Sequence, residues 1–259
     1  MEDAVIVTKE TADQLAVVVG ATGAFGRAIV ARLRRDGLRV LAVGRTAATL
    51  QALVDEDDGV VACEADIASD SAIERIAAAV DRPVRIVVHG PGVAVAGGVK
   101  DVPTAAMVDS VNIKVGGMLR VVRATDARLA ARARLVAIAG HYGLEPTAYA
   151  AGAGVANAAL VNLMRQLSLA YGGRGVTAHT IAPGPADTER LRRVAANRAT
   201  LRGIDVEAVL DEMRGESSIA SFTTPEQVAW SVSLLLAEEA DAMTGSTLML
   251  DAGRRRGLP

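Results

Sequence analysis

The sequence predicts a doubly wound parallel α/β sheet built as one domain over residues 1–259. Two observations carry that prediction. Short, continuously apolar runs rich in β-branched residues alternate with helix-length segments, and no composition break or Pro/Ser-rich linker divides the chain. Strands covered by helices on both faces read as unbroken apolar runs, and right-handed helical crossovers between them give a parallel sheet. Ligands in such sheets sit at the carboxyl ends of the strands.

The elements follow in order. "LAVVVG" at 15–20 is the first strand and "FGRAIVARLRRDG" its crossover helix; "RVLAVG" at 39–44 and "GVVACEA" at 59–65 are the next two strands, with "DSAIERIAAAV" after them. "VRIVVHG" at 84–90 leads into a long helical segment at 105–133, "RLVAIAG" at 134–140 precedes the helix "ALVNLMRQLSLAYGG", and "VTAHTIAPG" at 176–184 and "TLMLDAG" at 247–253 complete the sheet. Only 2% of residues are aromatic, so the core is expected to be aliphatic, with Trp230 packed on the apolar side of its helix.

Composition excludes several functions. A formal net charge of -2 argues against nucleic acid or an anionic membrane as partner, since either favours a basic face, and leaves a small-molecule substrate. Cys63 is the only cysteine, which rules out an internal disulfide and fits a reducing, cytoplasmic compartment. The acidic start "MEDAVIVTKETADQL" is unlike an export signal. The stretch 146–164 has no charge, but Pro146, its glycines, Asn157 and Asn162 suit a buried helix better than a membrane span. No metal site is expected.

"VVVGATGAFGRAIVARL" places Gly20, Gly23 and Gly26 after the first strand and at the opening of a helix. This Rossmann-like arrangement lets backbone N–H groups and the helix N-terminus approach a pyrophosphate. At the end of the second strand Gly44 stands where an NAD-binding fold usually carries an acid, and Arg45 follows it. A guanidinium can pair with a 2′-phosphate that an acid would repel, so NADP(H) is the expected cofactor.

From "GATGAFG" to "TGSTLMLDAG" the chain resembles the short-chain dehydrogenase/reductase family over essentially its whole length. The resemblance implies that Thr22 and Phe25 join the three glycines at the cofactor, and that Thr46 joins Arg45. It also implies that Asp66 and Ile67 of "ADI" lie by the adenine, and that "HGPG" (His89, Gly90, Pro91, Gly92) replaces the family's "NNAG". Pro183, Gly184 and Thr188 of "IAPGPADT" would pass the nicotinamide. Two features depart from the pattern: the glycine spacing looks like that of the extended branch, and Val19 stands where Thr is common.

Family members usually reduce a carbonyl with Asn, Ser, Tyr and Lys. Asn112 in "VNIKVGG" matches the first. Aligning "RLVAIAGHYG" and "AGVANAAL" with the family's motifs puts Gly140 at the serine, Ala153 at the tyrosine and Asn157 at the lysine. Shifting the frame so that Tyr149 is the acid leaves Ala153 at the lysine. A positioned general acid contributes on the order of 10²–10⁴ in rate and an oxyanion donor roughly 10²–10³, so the loss should cost at least about 3–5 kcal/mol at the transition state.

Three routes stay open. His141, Tyr142 or Tyr149, on the loop after the fifth strand, could donate the proton, with His141 favoured because imidazole titrates near neutral pH. The substrate could be an imine, whose carbon already carries positive charge, beside a small apolar pocket of Gly140 and Ala153 and with Asn157 on the nicotinamide ribose. Or the protein could bind NADP(H) without hydride chemistry, as a ligand-gated module or cyclisation template. The segment 185–224 resembles the family's substrate lid, with Leu191, Val194, Leu201, Val209, Leu210 and Met213 as an apolar cover. The resemblance further implies a homotetramer or homodimer paired through the helices bearing Asn112 and Asn157.

Overall fold

The computed structural model describes residues 13–93, 97–255 and 257. Seven strands, β1 (Leu15–Val19), β2 (Arg39–Gly44), β3 (Val60–Glu64), β4 (Val84–His89), β5 (Leu129–Ile138), β6 (Thr177–Pro183) and β7 (Thr247–Leu250), form one parallel sheet in the order β3-β2-β1-β4-β5-β6-β7. The order reverses between β1 and β4, whose last residues Val19 and His89 pair. A crevice opens at such a reversal, where neighbouring crossovers go to opposite faces.

Among the described residues the α-helices are α1 (Ala24–Arg35), α2 (Ala47–Glu56), α3 (Ser71–Ala79), α4 (Thr104–Val111), α5 (Gly117–Thr125), α6 (Ala151–Tyr171), α7 (Glu189–Arg202), α8 (Val206–Gly215) and α9 (Pro225–Leu234). Alternation along β1 sorts them. Leu15, Val17 and Val19 pack with Ile76 of α3, Val121 of α5 and Leu160 of α6. Ala16 and Val18 turn to the other face, with Leu33 of α1, Leu50 of α2 and Val228 of α9. Burying each large aliphatic side chain contributes about 1.5–3 kcal/mol, so both faces of the sheet are cores and the strands read as unbroken apolar runs.

Three expectations need correction. The fifth strand begins at Leu129, inside the expected helix: "LAARA" pairs with β4 through a register shift between Val84 and Ile86, and Arg132 takes a positive φ of 60° there. Ala-rich sequence favours helix locally, but pairing in the sheet overrides it. The edge strand β3 leaves Val61 exposed. Trp230 is 51% exposed, because α9 turns Val228, Ala229 and Val232 to the sheet and leaves the indole off that face. No helix among the described residues is long and apolar enough to cross a membrane.

Candidate functional site

The glycine turn is built for close backbone approach. Gly20 has φ +82° and donates its amide to Val43 O at 2.9 Å; Gly23 donates to Gly20 O at 3.1 Å and caps α1 with no side-chain hydrogen bond. A Cβ on Gly26 would collide with the Gly20 carbonyl oxygen and with the Ala21 backbone. The first amides of α1 are thereby left for an anion, and these residues fit a dinucleotide pyrophosphate. Thr22 lies half-buried in this turn. Phe25 is half-buried and packs against the α1-side core.

Arg45 and Thr46 are exposed at the end of β2, and Arg45 forms no ion pair among the described residues. Asp66 is exposed at the end of β3, where its Oδ1 accepts the Ala68 amide at 3.1 Å, and Ile67 is buried beside it. Gly90 donates to Val19 O at 3.0 Å, and Pro91 crosses so near Gly20 that an added Cβ there would lie 3.1 Å from the Pro91 nitrogen. The His89 side chain is not at the cofactor surface. It is fully buried toward α5, its Nε2 bonds Ile113 O at 3.0 Å, and burial pushes its pKa down to about 3. Glycine at 117 makes room for that ring, since a Cβ would sit 2.7 Å from it.

At the chemical end the helix after β4 is interrupted by a π-turn at Asn112–Gly116, a wide-ring feature that often marks functional sites. Asn112 donates to Ala68 O at 2.9 Å and accepts from Arg120 Nη1 at 2.9 Å. Both ends of its amide are engaged, so it braces the loop after β3. Lys114, which the sequence reading passed over, is 4% exposed and its Nζ donates to Ile138 O at 2.7 Å at the end of β5. Burial, with Arg190 nearby, pushes its pKa down to about 7.

Gly140 and Asn157 are fitted to each other. A Cβ on Gly140 would lie 2.9 Å from Asn157 Nδ2, so the amide occupies the room that a serine side chain would need. Asn157 is 5% exposed, and its Oδ1 is buried with no hydrogen-bond partner, an acceptor suited to a ribose hydroxyl. Ala153 is buried one turn earlier.

His141, favoured by the sequence as proton donor, is corrected. It is buried, its ring bonds the Pro183 carbonyl, and burial together with Arg254 pushes its pKa down to about 4, so at neutral pH it is an uncharged strut. Tyr149 is different. Its hydroxyl lies 3.0 Å from that of Tyr142, and the Arg198 guanidinium stands 4.4 Å from its ring centroid. Burial opposes ionisation of Tyr149, but hydrogen bonds from Tyr142, Arg198, Thr147 and Arg254 outweigh it and bring its pKa down to about 8. Burial and the same pairing push Tyr142 up to about 12.

The lid helices α7 and α8 form a hairpin with a core of their own. Leu191, Val209, Leu210 and Met213 pack there with Ala195, Ala199 and Phe222, so they do not supply the expected apolar cover; Val194 is half-buried, and the Leu201 side chain lies outside the described residues. The helix spends this apolar stripe on its partner and turns Arg190 and Arg198, two turns apart, toward the body. Arg190 donates to Val93 O in the loop after β4, and Arg198 covers Tyr149. Thr188 caps α7, accepting the Leu191 amide at 3.4 Å and donating to Ala186 O at 3.3 Å. Pro183 is buried at the end of β6, and Gly184 donates to Leu250 O at 2.9 Å. Among the described residues no group of three or more His, Cys, Asp or Glu could hold a metal ion.

The order of the strands, the glycine turn at the β1/β4 reversal and the lid after β6 define a nicotinamide-type oxidoreductase fold. The chain belongs to the short-chain dehydrogenase/reductase family: a model of that family described as enoyl-(acyl carrier protein) reductase matches residues 20–255. A Streptomyces coelicolor protein named as a ketoacyl reductase is 27% identical over 251 residues, 93% of this chain and 96% of its own. Among solved structures, L-sorbose reductase from Gluconobacter frateurii, complexed with NADPH and L-sorbose, superposes with TM-score 0.87 at 20% identity, covering 96% of this chain and 98% of that one. A short-chain oxidoreductase from Pseudomonas aeruginosa described as containing an atypical catalytic center gives TM-score 0.85 at 21% identity, over 96% of this chain and 99% of its own. The protein is a family oxidoreductase in the sense these relatives define.

Proposed function

We propose that the protein is an NADP(H)-dependent oxidoreductase that reduces a carbonyl, with Tyr149 as proton donor in place of the tyrosine missing at position 153. The contact between Tyr149 and Arg198 carries this reading. In the family a lysine lowers the pKa of the tyrosine; here a guanidinium from the lid stands over the phenol, and the Tyr142 hydroxyl bonds it. A phenol near 8 matches the operating pH far better than one at 10.

Gly20, Gly23, Gly26 and Asn157 would hold the dinucleotide, and Arg45 its 2′-phosphate. Bound there, the cofactor supplies hydride. Tyr149 protonates the developing alkoxide, and Tyr142, which stays protonated, stabilises the phenolate left behind. An iminium substrate fits poorly, because Lys114, Arg190 and Arg198 make this end of the crevice positive. The buried free thiol of Cys63 accords with a reducing cytoplasm. Val108 of α4 and Val155 of α6 are exposed on neighbouring helices and support pairing of copies through that face.

One observation favours a non-redox reading: no side chain stands at 140 or 153 that could hold a carbonyl oxygen. Transfer of deuterium from labelled NADPH into product separates the two. Label transfer that Tyr149→Phe suppresses supports reduction; tight NADPH binding with no label transfer to any carbonyl supports the binding module.

A further inference from the structure

At the chemical end of the crevice two cations, Lys114 and Arg190, are held by backbone carbonyls and make no ion pair among the described residues. Lys114 reaches it from below the sheet and Arg190 from the lid, and each is held by a backbone carbonyl: Ile138 O, at the last residue of β5, and Val93 O, just beyond β4. These strands are neighbours, with Ala137 paired to His89, so both cations stand at the strand ends where ligands of such sheets bind, near enough for Arg190 to act on Lys114. The Arg190 guanidinium also lies along Gly92, where an added Cβ would come within 2.8 Å of Nη1.

Several other arginines on these elements do have carboxylate partners. On the same lid Arg192 pairs with Asp187 and Arg202 with Glu212, the lid's Glu216 takes Arg254 from beyond β7, and below the sheet Arg120 pairs with Asp70. Among the described residues neither Lys114 nor Arg190 makes an ion pair. His89, the other titratable side chain near Lys114, is neutral. The buried Lys114 ammonium is held by a backbone carbonyl alone, and a carboxylate ligand would supply the negative charge it lacks.

We propose that the substrate carries a carboxylate, bound between Lys114 Nζ and the Arg190 guanidinium at the ends of β4 and β5. The substrate is then an oxo acid. This rests on the reading of the crevice as a carbonyl-reducing site, and it replaces the apolar substrate that the lid sequence suggested. Planar guanidinium geometry suits a carboxylate edge, and the ammonium adds a second charge-assisted hydrogen bond.

The test is calorimetric and needs no turnover. Wild type, Lys114→Met and Arg190→Met, each with and without saturating NADPH, are titrated with acetoacetate and 3-oxohexanoate and with their methyl esters. The acids should bind wild type at least about tenfold more tightly than the esters, and each variant should lose about tenfold toward the acids while its ester affinity holds. Esters that bind wild type as well as the acids, absence of binding by either, or variants that weaken acids and esters alike would overturn the proposal. The carboxylate site stands, and the redox reading falls, if the acids bind selectively but take no label from deuterated NADPH. Label transfer to neutral ketones with no preference for acids gives the converse.

Discussion

The two ends of the crevice are built in opposite ways. The β1/β2 end is made of backbone: Gly20, Gly23 and Gly26 within one turn, with Arg45 close by in the chain. The β4/β5 end is made of side chains from distant segments, with Lys114 from the π-turn, Asn157 and Tyr149 from in and beside α6, and Arg190 and Arg198 from the lid. A backbone site tolerates little change, because no rotamer can relieve a clash with a main-chain atom. A side-chain site can be rebuilt by moving charges between elements, and here the cation over Tyr149 comes from α7.

Tests of that contrast run from large effects to small. Tyr149→Phe should lower kcat by about 10²–10⁴ with little change in NADPH affinity. In wild type, reduction should be full below about pH 8 and fall above it, since the donor must be protonated; in Arg198→Met the inflection should move up toward the ordinary tyrosine value of 10. A wild-type inflection unmoved by this change would break the assignment of Arg198 as the substitute cation. At the backbone end Gly26→Ala should weaken NADPH by at least about tenfold, roughly 1–3 kcal/mol of overpacking, as fluorescence titration would detect. Arg45→Ala should cost NADPH about tenfold and leave NADH unchanged; equal losses for the two would exclude a 2′-phosphate contact.

The smallest expected effect concerns stability. Lys114→Met removes a buried, unpaired ammonium and should stabilise the ligand-free protein by about 1–4 kcal/mol. The folded-state pKa is depressed from 10.5 to about 7, so the unfolded chain holds the extra proton between those values and wild-type stability rises with pH across that window. The Tm advantage of the variant should therefore be full below pH 7 and fade toward pH 10.5. An advantage independent of pH would mean that the lysine is not desolvated in the folded protein.

How far the sequence could be read follows the same division. The order of strands along the chain and the glycine turn at the end of β1 depend on near neighbours in the chain, and both were legible. Lys114 left a trace, since it falls at helical spacing with Met118 and Val121 of the buried stripe, a place where a lysine is unusual. The lid was misread because the pattern of α7 shows an apolar stripe without saying what it meets; α8 took it, and the arginine face was left for the site. His141 was misread for a related reason, as a loop position gives no hint that the residue is buried against Pro183.

The sequence by itself determined the parallel sheet and the family, and it set three glycines at the turn after the first strand, because strand patterning and glycine spacing are local properties of the chain. Only the tertiary structure decided which cations stand without a carboxylate, which tyrosine has its proton loosened and which face of the lid looks inward. Those depend on burial and on electrostatic contact between segments far apart in sequence, and neither quantity exists until the chain has folded.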